Sequence, residues 1–306
     1  MSHIGSTWLQ LVLFPSAGHC SVPRLNGVST GPQNPNIDDT ELTAMEHRVA
    51  AASPGPWTSY VEGATSIVET RVGTVSGLWR YPVKSMAAEP LTSAEVSWTG
   101  VSGDRRWAFV RPGSQRNGFP WHTIREHPAM CRYVPRLTEP TRPDKSPVEV
   151  RTPVGETRSI TDPALAAEIG ADVRVMRLDR GLFDAMPVSL IATSTVSALC
   201  ALAGVPSNAL RFRPNLLITP DPDHAYAEDG WVGTVLRIGD AEVRVDRRDV
   251  RCVIVNVDPD TGRPDAALLT SIPRSHQACA GVYGSTVRPG MIRVGDPVTI
   301  APATGS

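Results

Sequence analysis

Lysine is nearly missing from this chain of 306 residues: of its 30 basic side chains only Lys84 and Lys145 are lysines. Arginine therefore carries almost all the positive charge, as a planar, permanently charged fork suited to phosphate and carboxylate oxygens. Neither sign of charge is in excess, because 31 acidic residues leave a formal net charge of -1. No global field draws in nucleic acid or an anionic membrane surface. Aromatic residues are scarce at 6%, which leaves the core to aliphatic packing. No run approaches the roughly 18 apolar residues that span a bilayer. The most apolar N-terminal stretch, Trp8 to Phe14, contains Gln10 and follows no lysine or arginine, which makes it a poor export signal. The five cysteines, Cys20, Cys131, Cys200, Cys252 and Cys279, include no C-x-x-C pair. A zinc ribbon, an iron–sulfur cluster and a disulfide framework all lack their ligand spacing, and a reducing, cytoplasmic compartment fits the pattern. G-x-G-x-x-G, Walker, H-E-x-x-H and G-x-S-x-G motifs are also missing from any fitting context, so the ordinary nucleotide-binding and hydrolase classes lose support.

Proline is plentiful, at 28 residues, and argues for short elements joined by turns. The length leaves room for about two domains. Residues 1–70 combine six prolines with scattered Gly, Ser and Asn and one helix-like stretch, Asp38 to Ala52, and read as a flexible leader. From Arg71 onward, β-rich runs bounded by Gly and Pro are expected around Val72, Val75 and Leu78. Further runs follow at Leu91 to Trp98, Trp107 to Val110, Cys131 to Leu137, Val148 to Val150 and Val173 to Leu178. The second half adds Arg211 to Thr219, Val235 to Ile238, Glu242 to Val245, Val250 to Val257 and Met291 to Ile300. Gly239-Asp240 marks a hairpin corner and Asp296 a turn. Short helices are expected at Thr195 to Ala203, ended by Gly204 and Pro206, and at Asp265 to Ser271. The pattern is that of a mainly β barrel or sandwich with a few short helices.

Several clusters carry potential chemistry. Cys252 lies in Arg247-Arg248-Asp249-Val250-Arg251-Cys252, where neighbouring cations favour thiolate, the nucleophilic and soft-metal-binding form. The same local sequence also describes a small buried hydrophobe beside a solvated edge. Arg211-Phe212-Arg213-Pro214-Asn215 puts two guanidinium groups at equal strand parity, able to face one side and grip a phosphate, or to flank a buried Phe212 as surface charges. Lys84 and Ser85 follow the proline-stiffened Tyr81-Pro82, and Asp104-Arg105-Arg106-Trp107 follows a glycine turn. His122 and His127 lack a matching carboxylate spacing and are read as structural.

Taken in order, five motifs resemble the MOSC family. They are Val72-Gly-Thr-Val-Ser-Gly-Leu-Trp-Arg-Tyr-Pro-Val-Lys-Ser85, Gly103-Asp-Arg-Arg-Trp107, Arg211-Phe-Arg-Pro-Asn215, Arg251-Cys252 with Val257-Asp-Pro-Asp-Thr-Gly262, and Gly281-Val-Tyr-Gly284 with Val294-Gly-Asp296. The architecture resembled is that of the amidoxime-reducing components. It implies an N-terminal β-barrel domain over residues 71–180, a MOSC β-barrel domain over 181–303, and a molybdenum cofactor (Mo-molybdopterin) between them. By position, the resemblance makes Cys252 the catalytic thiolate ligand of molybdenum. It makes Lys84, Ser85, Arg105, Thr193, Ser194, Arg213, Asn215 and Tyr283 the cofactor contacts, with Arg106 as the alternative to Arg105. A strand through Cys252 would give the metal a stiff platform.

The resemblance also implies reduction of a small N-hydroxylated substrate. Because the chain has no cluster-binding cysteines and no flavin or nicotinamide fingerprint, the electrons would come from a separate donor, a ferredoxin-like protein or a flavoprotein. No nucleic acid and no membrane is expected as a partner. The alternative is a carrier, of the cofactor or of persulfide sulfur on Cys252, without substrate turnover. A pyridoxal phosphate enzyme is a distant third, since Lys84 has no pyridinium partner nearby.

Overall fold

The computed structural model describes residues 69–111, 120–179, 181, 186–265, 267–272 and 276–301. The expected leader lies almost wholly outside these residues, as does the helix-like stretch at 38–52. β1 (Thr70–Arg80) opens the described chain, with Val75 and Leu78 turned into the core. β2 (Glu89–Pro90) pairs with the end of β1. β3 (Ser93–Ser97) and β4 (Gly100–Val101) make a hairpin. β5 (Trp107–Val110) pairs with β6 (Trp121–His122), and β7 (Val134–Leu137), β8 (Val148–Arg151) and β9 (Thr157–Ser159) form an antiparallel meander. α1 (Pro163–Ile169) starts where Asp162 accepts from the Ala164 amide at 2.8 Å and Pro163 needs no donor partner. It seats Leu165 and Ile169 on a core with Val83, Met86, Phe109 and Val150. β10 (Arg174–Arg177) then returns alongside β5.

The second half supplies β11 (Val188–Ala192), α2 (Thr193–Ala203), β12 (Leu216–Pro220), β13 (Val235–Ile238), β14 (Ala241–Val250), α3 (Ala267–Ser271), β15 (Cys279–Arg288), β16 (Gly290–Arg293) and β17 (Pro297–Ile300). Seven strands close into a barrel in the order β1, β12, β11, β15, β14, β13, β17 and back to β1. Alternation explains the inward faces: Leu236 and Ile238 of β13, Ala241, Val243 and Val245 of β14, and Val298 of β17 fill one aliphatic interior. α2 ends at Gly204 in the left-handed conformation, as its sequence predicts.

Strand pairing crosses the expected boundary at residue 180. β1, from the N-terminal part, closes the barrel of the C-terminal part, and β16 pairs with β3 outside it. The described residues accordingly fall in one compact unit.

One expected strand gives way to a turn, and another starts later than expected. β14 ends at Val250, opposite Cys279 where β15 begins, and residues 251–257 keep as backbone pairing only the bond from the Arg251 amide to the Ala278 carbonyl and an isolated bridge from Val257 to Pro264. They run as an extended link through Cys252 into a 3₁₀ turn, Val253–Asn256, and Val255 is buried against Ile191, Leu199 and Phe212. Likewise Arg211 ends a 3₁₀ turn, Ala209–Arg211, Arg213 has φ +53, and the strand starts only at Leu216. The equal-parity argument for the two arginines therefore fails. Besides the short β2, β4, β6 and β9, two longer strands escape the sequence pattern: β11 is buried at all five residues and shows no alternation, and glycines interrupt β15.

Candidate functional site

A cavity of about 270 Å³ lies where the loop after β1, the turns after β4 and β6, the Arg211–Arg213 turn and the end of β14 converge. Lys84 and Ser85 line it from the first of these, Arg105 from the second, Thr123 and Arg125 from the third, and Tyr283 from β15. Cys252 stands on the wall, half-buried, directly after Arg251. Three wall residues that are not glycine hold left-handed backbone angles: Ser85 at φ +72, Arg105 at +47 and Arg213 at +53. Such angles are unfavourable for L side chains and persist only where surrounding contacts enforce them, as functional sites often do.

Those contacts are specific. Tyr81 is fully buried, its amide donates to Asp104 Oδ1 at 2.7 Å, and its hydroxyl donates to the Pro214 carbonyl at 3.2 Å. The guanidinium groups of Arg105 and Arg213 lie over its ring, 4.6 and 4.4 Å from the centroid, a cation–π arrangement that sets both cations. Burial pushes the Tyr81 phenol up to about 12 despite the neighbouring arginines, so the ring stays neutral. Arg105 pairs with Asp104 and donates from Nη2 to the Arg213 carbonyl at 3.2 Å. Arg106, the alternative, is turned away: its Nε donates to Asp144 at 3.0 Å and it does not line the cavity.

Bulges in the β14–β15 pairing at Val245/Arg247 and Arg248/Val250 break the alternation of β14. They bring Arg247, Arg248, Asp249 and Val250 to the same wall, as bulges beside sites commonly do. Arg251 is held from three sides. Its Nε donates to the Ala280 carbonyl at 2.6 Å, and its Nη1 donates to the Phe212 carbonyl at 2.8 Å and faces Asp249 Oδ2 at 2.8 Å. Arg211 pairs with Asp258 at 2.5 Å.

Among the described residues the Cys252 thiol has one hydrogen-bond partner: Arg125 Nη2 donates to its sulfur at 3.2 Å. Arg125 is presented by a tight turn in which the Thr123 amide and hydroxyl donate to Glu126 Oε2 at 2.9 and 2.7 Å. Burial alone would raise the Glu126 carboxyl, but these bonds outweigh it and hold the group below its ordinary value. Sequence reasoning missed Arg125, and no local signal could have found it, because it stands 127 residues from the thiol. Ser189 and Thr123 of the wall were missed for the same reason. Among the described cysteines, Cys131, Cys200 and Cys279 are buried and do not line the cavity. Burial pushes the Cys131 thiol up to about 11 and raises that of Cys279.

Lys84, Ser85, Arg105, Arg213, Tyr283 and Cys252 are thus brought together from the expected set. Asn215 is not on the wall. It stitches the strands behind, with Oδ1 accepting from the Ser189 amide at 3.2 Å and Nδ2 donating to the Trp79 carbonyl at 3.2 Å. Thr193 and Ser194 open α2 away from the cavity, and the Ser194 hydroxyl donates to the His224 carbonyl at 2.7 Å.

Eight cations line the wall, Lys84, Arg105, Arg125, Arg211, Arg213, Arg247, Arg248 and Arg251, against one carboxylate, Asp249. Among these residues Arg211 Nε and Nη1, Arg251 Nη2 and the Ser189 hydroxyl are buried atoms with no hydrogen-bond partner among the described residues. A wall of this kind is a receptor for an anion with many acceptor oxygens, placed beside a soft sulfur donor. Those are the two demands of a phosphate-bearing cofactor that carries a thiophilic metal, so the residues fit a molybdenum cofactor.

Comparisons with known proteins agree with the motifs. Residues 72–186 match the MOSC N-terminal beta barrel domain and residues 178–299 the MOSC domain. Mitochondrial amidoxime reducing component 2 of Homo sapiens is 26% identical over 293 residues, covering 74% of this chain and 83% of that protein. Mitochondrial amidoxime-reducing component 1 of Homo sapiens is 27% identical over 285 residues, with the same coverage. The component 1 of Mus musculus reaches 32% over 128 residues, but that match spans only 38% of this chain and 36% of the relative. Among solved structures, the YuaD protein of Bacillus subtilis superposes with a TM-score of 0.42 at 13% identity, over 76% of this chain and 98% of that one. With both domain matches running in order from residue 72 to residue 299, the chain belongs to the MOSC-domain proteins that carry a MOSC N-terminal β-barrel domain.

Proposed function

We propose that the chain is a molybdenum-cofactor-dependent oxidoreductase that reduces small N-hydroxylated compounds. The observation that carries this reading is the half-buried Cys252 sulfur in a cavity walled by arginines, with Arg125 donating to it at 3.2 Å. Lys84, Arg105 and Arg213 would hold the cofactor's phosphate, Ser85 and Tyr283 would add hydroxyl contacts, and Cys252 would bind the metal. When bound, the cofactor supplies the two-electron chemistry that reduces an N-hydroxyl group. The chain's own residues bind and orient. The Tyr81 ring fixes the spacing of two cations, the Asp249 carboxylate fixes Arg251, and Arg125 orients the sulfur with its hydrogen bond. Phe212, Ile254 and Val255 give the wall an apolar side that limits water around the sulfur.

Electrons come in this reading from a separate ferredoxin-like protein or flavoprotein. No helix among the described residues is long and apolar enough to cross a membrane, and the relatives are named as mitochondrial. Cytoplasmic placement is part of the proposal and rests on the unpaired state of the four described cysteines.

The test is metal analysis joined to turnover. Expected are molybdenum bound by the purified chain and reduction of an amidoxime when an electron donor is supplied. Cys252→Ser should drop molybdenum to background while circular dichroism and the unfolding midpoint stay unchanged; unaltered metal content would overturn the ligand assignment. Bound molybdenum without reduction would instead favour a cofactor carrier, and a Cys252 persulfide without molybdenum a sulfur carrier.

A further inference from the structure

A second cavity, of about 340 Å³, shares the wall residue Arg213 with the first. Its other cations are Arg132, the last residue of the 3₁₀ turn Pro128–Arg132, and Arg151, the last residue of β8. Neither side chain makes a hydrogen bond or ion pair among the described residues. Beside Arg151 stands Thr152, only 3% exposed, with a hydroxyl that has no hydrogen-bond partner among the described residues. The turn between β8 and β9 fixes Thr152 through its backbone alone. Its amide donates to the Glu156 carbonyl at 2.7 Å, and its carbonyl accepts from the Gly155 amide at 2.9 Å. A hydroxyl buried without a partner is unfavourable, so such a group calls for a ligand atom to complete it.

The charge balance of the cavity favours an anion. Three guanidinium groups face one carboxylate, Asp260, whose Oδ2 accepts from Asn208 Nδ2 at 3.3 Å. Cys131 on the same wall adds no negative charge, since it donates to the Asp258 carbonyl at 3.6 Å and burial keeps it protonated. Ala87, Val134 and Leu210 supply apolar lining.

We propose that this cavity is a binding site for a small organic anion, a carboxylate or a phosphate on a short apolar body. Arg132 and Arg151 grip the anionic group, and the Thr152 hydroxyl donates to one of its oxygens. Arg132, Arg151 and Thr152 do not line the first cavity, so the failure of this proposal and that of the activity proposed above are distinguishable.

Calorimetric titration of the purified full chain with phenyl phosphate, benzoate and inorganic phosphate tests it. A saturable site that depends on Arg132 and Arg151 is expected for phenyl phosphate, for benzoate or for both, which also assigns the anionic group. Inorganic phosphate is expected to bind more weakly, and equal affinity would overturn the apolar-body part. Arg151→Gln and Arg132→Gln, both at exposed positions that leave the fold intact, should each weaken binding by about tenfold or more through loss of a charge-assisted hydrogen bond. Thr152→Val should weaken it by a smaller factor. No saturable binding of any probe would sink the proposal, as would binding that both arginine substitutions leave untouched, since the anion would then be held elsewhere.

Discussion

Gly281 shows how one residue is dictated by its surroundings. Its φ is +78, and a Cβ added there would lie 2.7 Å from the Leu190 carbonyl oxygen and 2.8 Å from Arg251 Nη2. Glycine is the residue that tolerates both the angle and the approach. Gly281→Ala should therefore cost about 1–3 kcal/mol of stability, read as a lower denaturant midpoint. It should also weaken molybdenum retention, because Arg251 on the cavity wall must move to make room. A variant with wild-type stability and metal content would show that β15 can shift away without cost. At this scale the sequence was informative wherever chemistry stood in a short motif: Lys84 and Ser85, Arg105, Arg213, Cys252 and Tyr283 all reach one cavity. Thr193, Ser194 and Asn215 do not line it, because a motif gives proximity along the chain and not the direction of a side chain. The sequence had no means of finding Arg125, whose bond to the Cys252 sulfur closes a loop of 127 residues.

Elements were legible where one face meets water and the other meets the core. β13, β8 and the inward half of β14 alternate as half-buried strands must. β11 does not, because both its faces are covered, and a short apolar run buried on all sides carries no period. Leu190 in β11 is wholly buried in the barrel core, so Leu190→Ala should lose about 2–5 kcal/mol. Urea unfolding with an unchanged slope and a lowered midpoint would confirm this, and a loss below about 1 kcal/mol would mean that the barrel collapses onto the gap. The β-branched run after Cys252 misled in the opposite direction. Val253, Ile254 and Val255 have strand-forming side chains, but they turn in a 3₁₀ segment, and Val255 joins the small core of Val196 and Leu199 from α2.

The whole molecule is organised by barrel closure. β1 belongs by sequence to the N-terminal domain match and by pairing to the C-terminal barrel, where it bridges β12 and β17. Residues 181–303 expressed alone should then expose two unpaired edges and fail to give a cooperative unfolding transition, whereas co-expression with residues 71–180 should restore it. A stable, monomeric 181–303 fragment would show that the barrel closes without β1.

By itself the sequence determined the class of the protein. Aliphatic runs of strand length punctuated by proline and glycine define a mainly β chain, and five ordered motifs define its family, because both signals are local. Only the tertiary structure decided which cations surround the sulfur, where the strand before Cys252 stops, and that the first strand completes the last barrel. Those outcomes depend on which edges and side chains meet across a hundred or more residues, and that choice is made by packing and hydrogen-bond satisfaction over the whole fold.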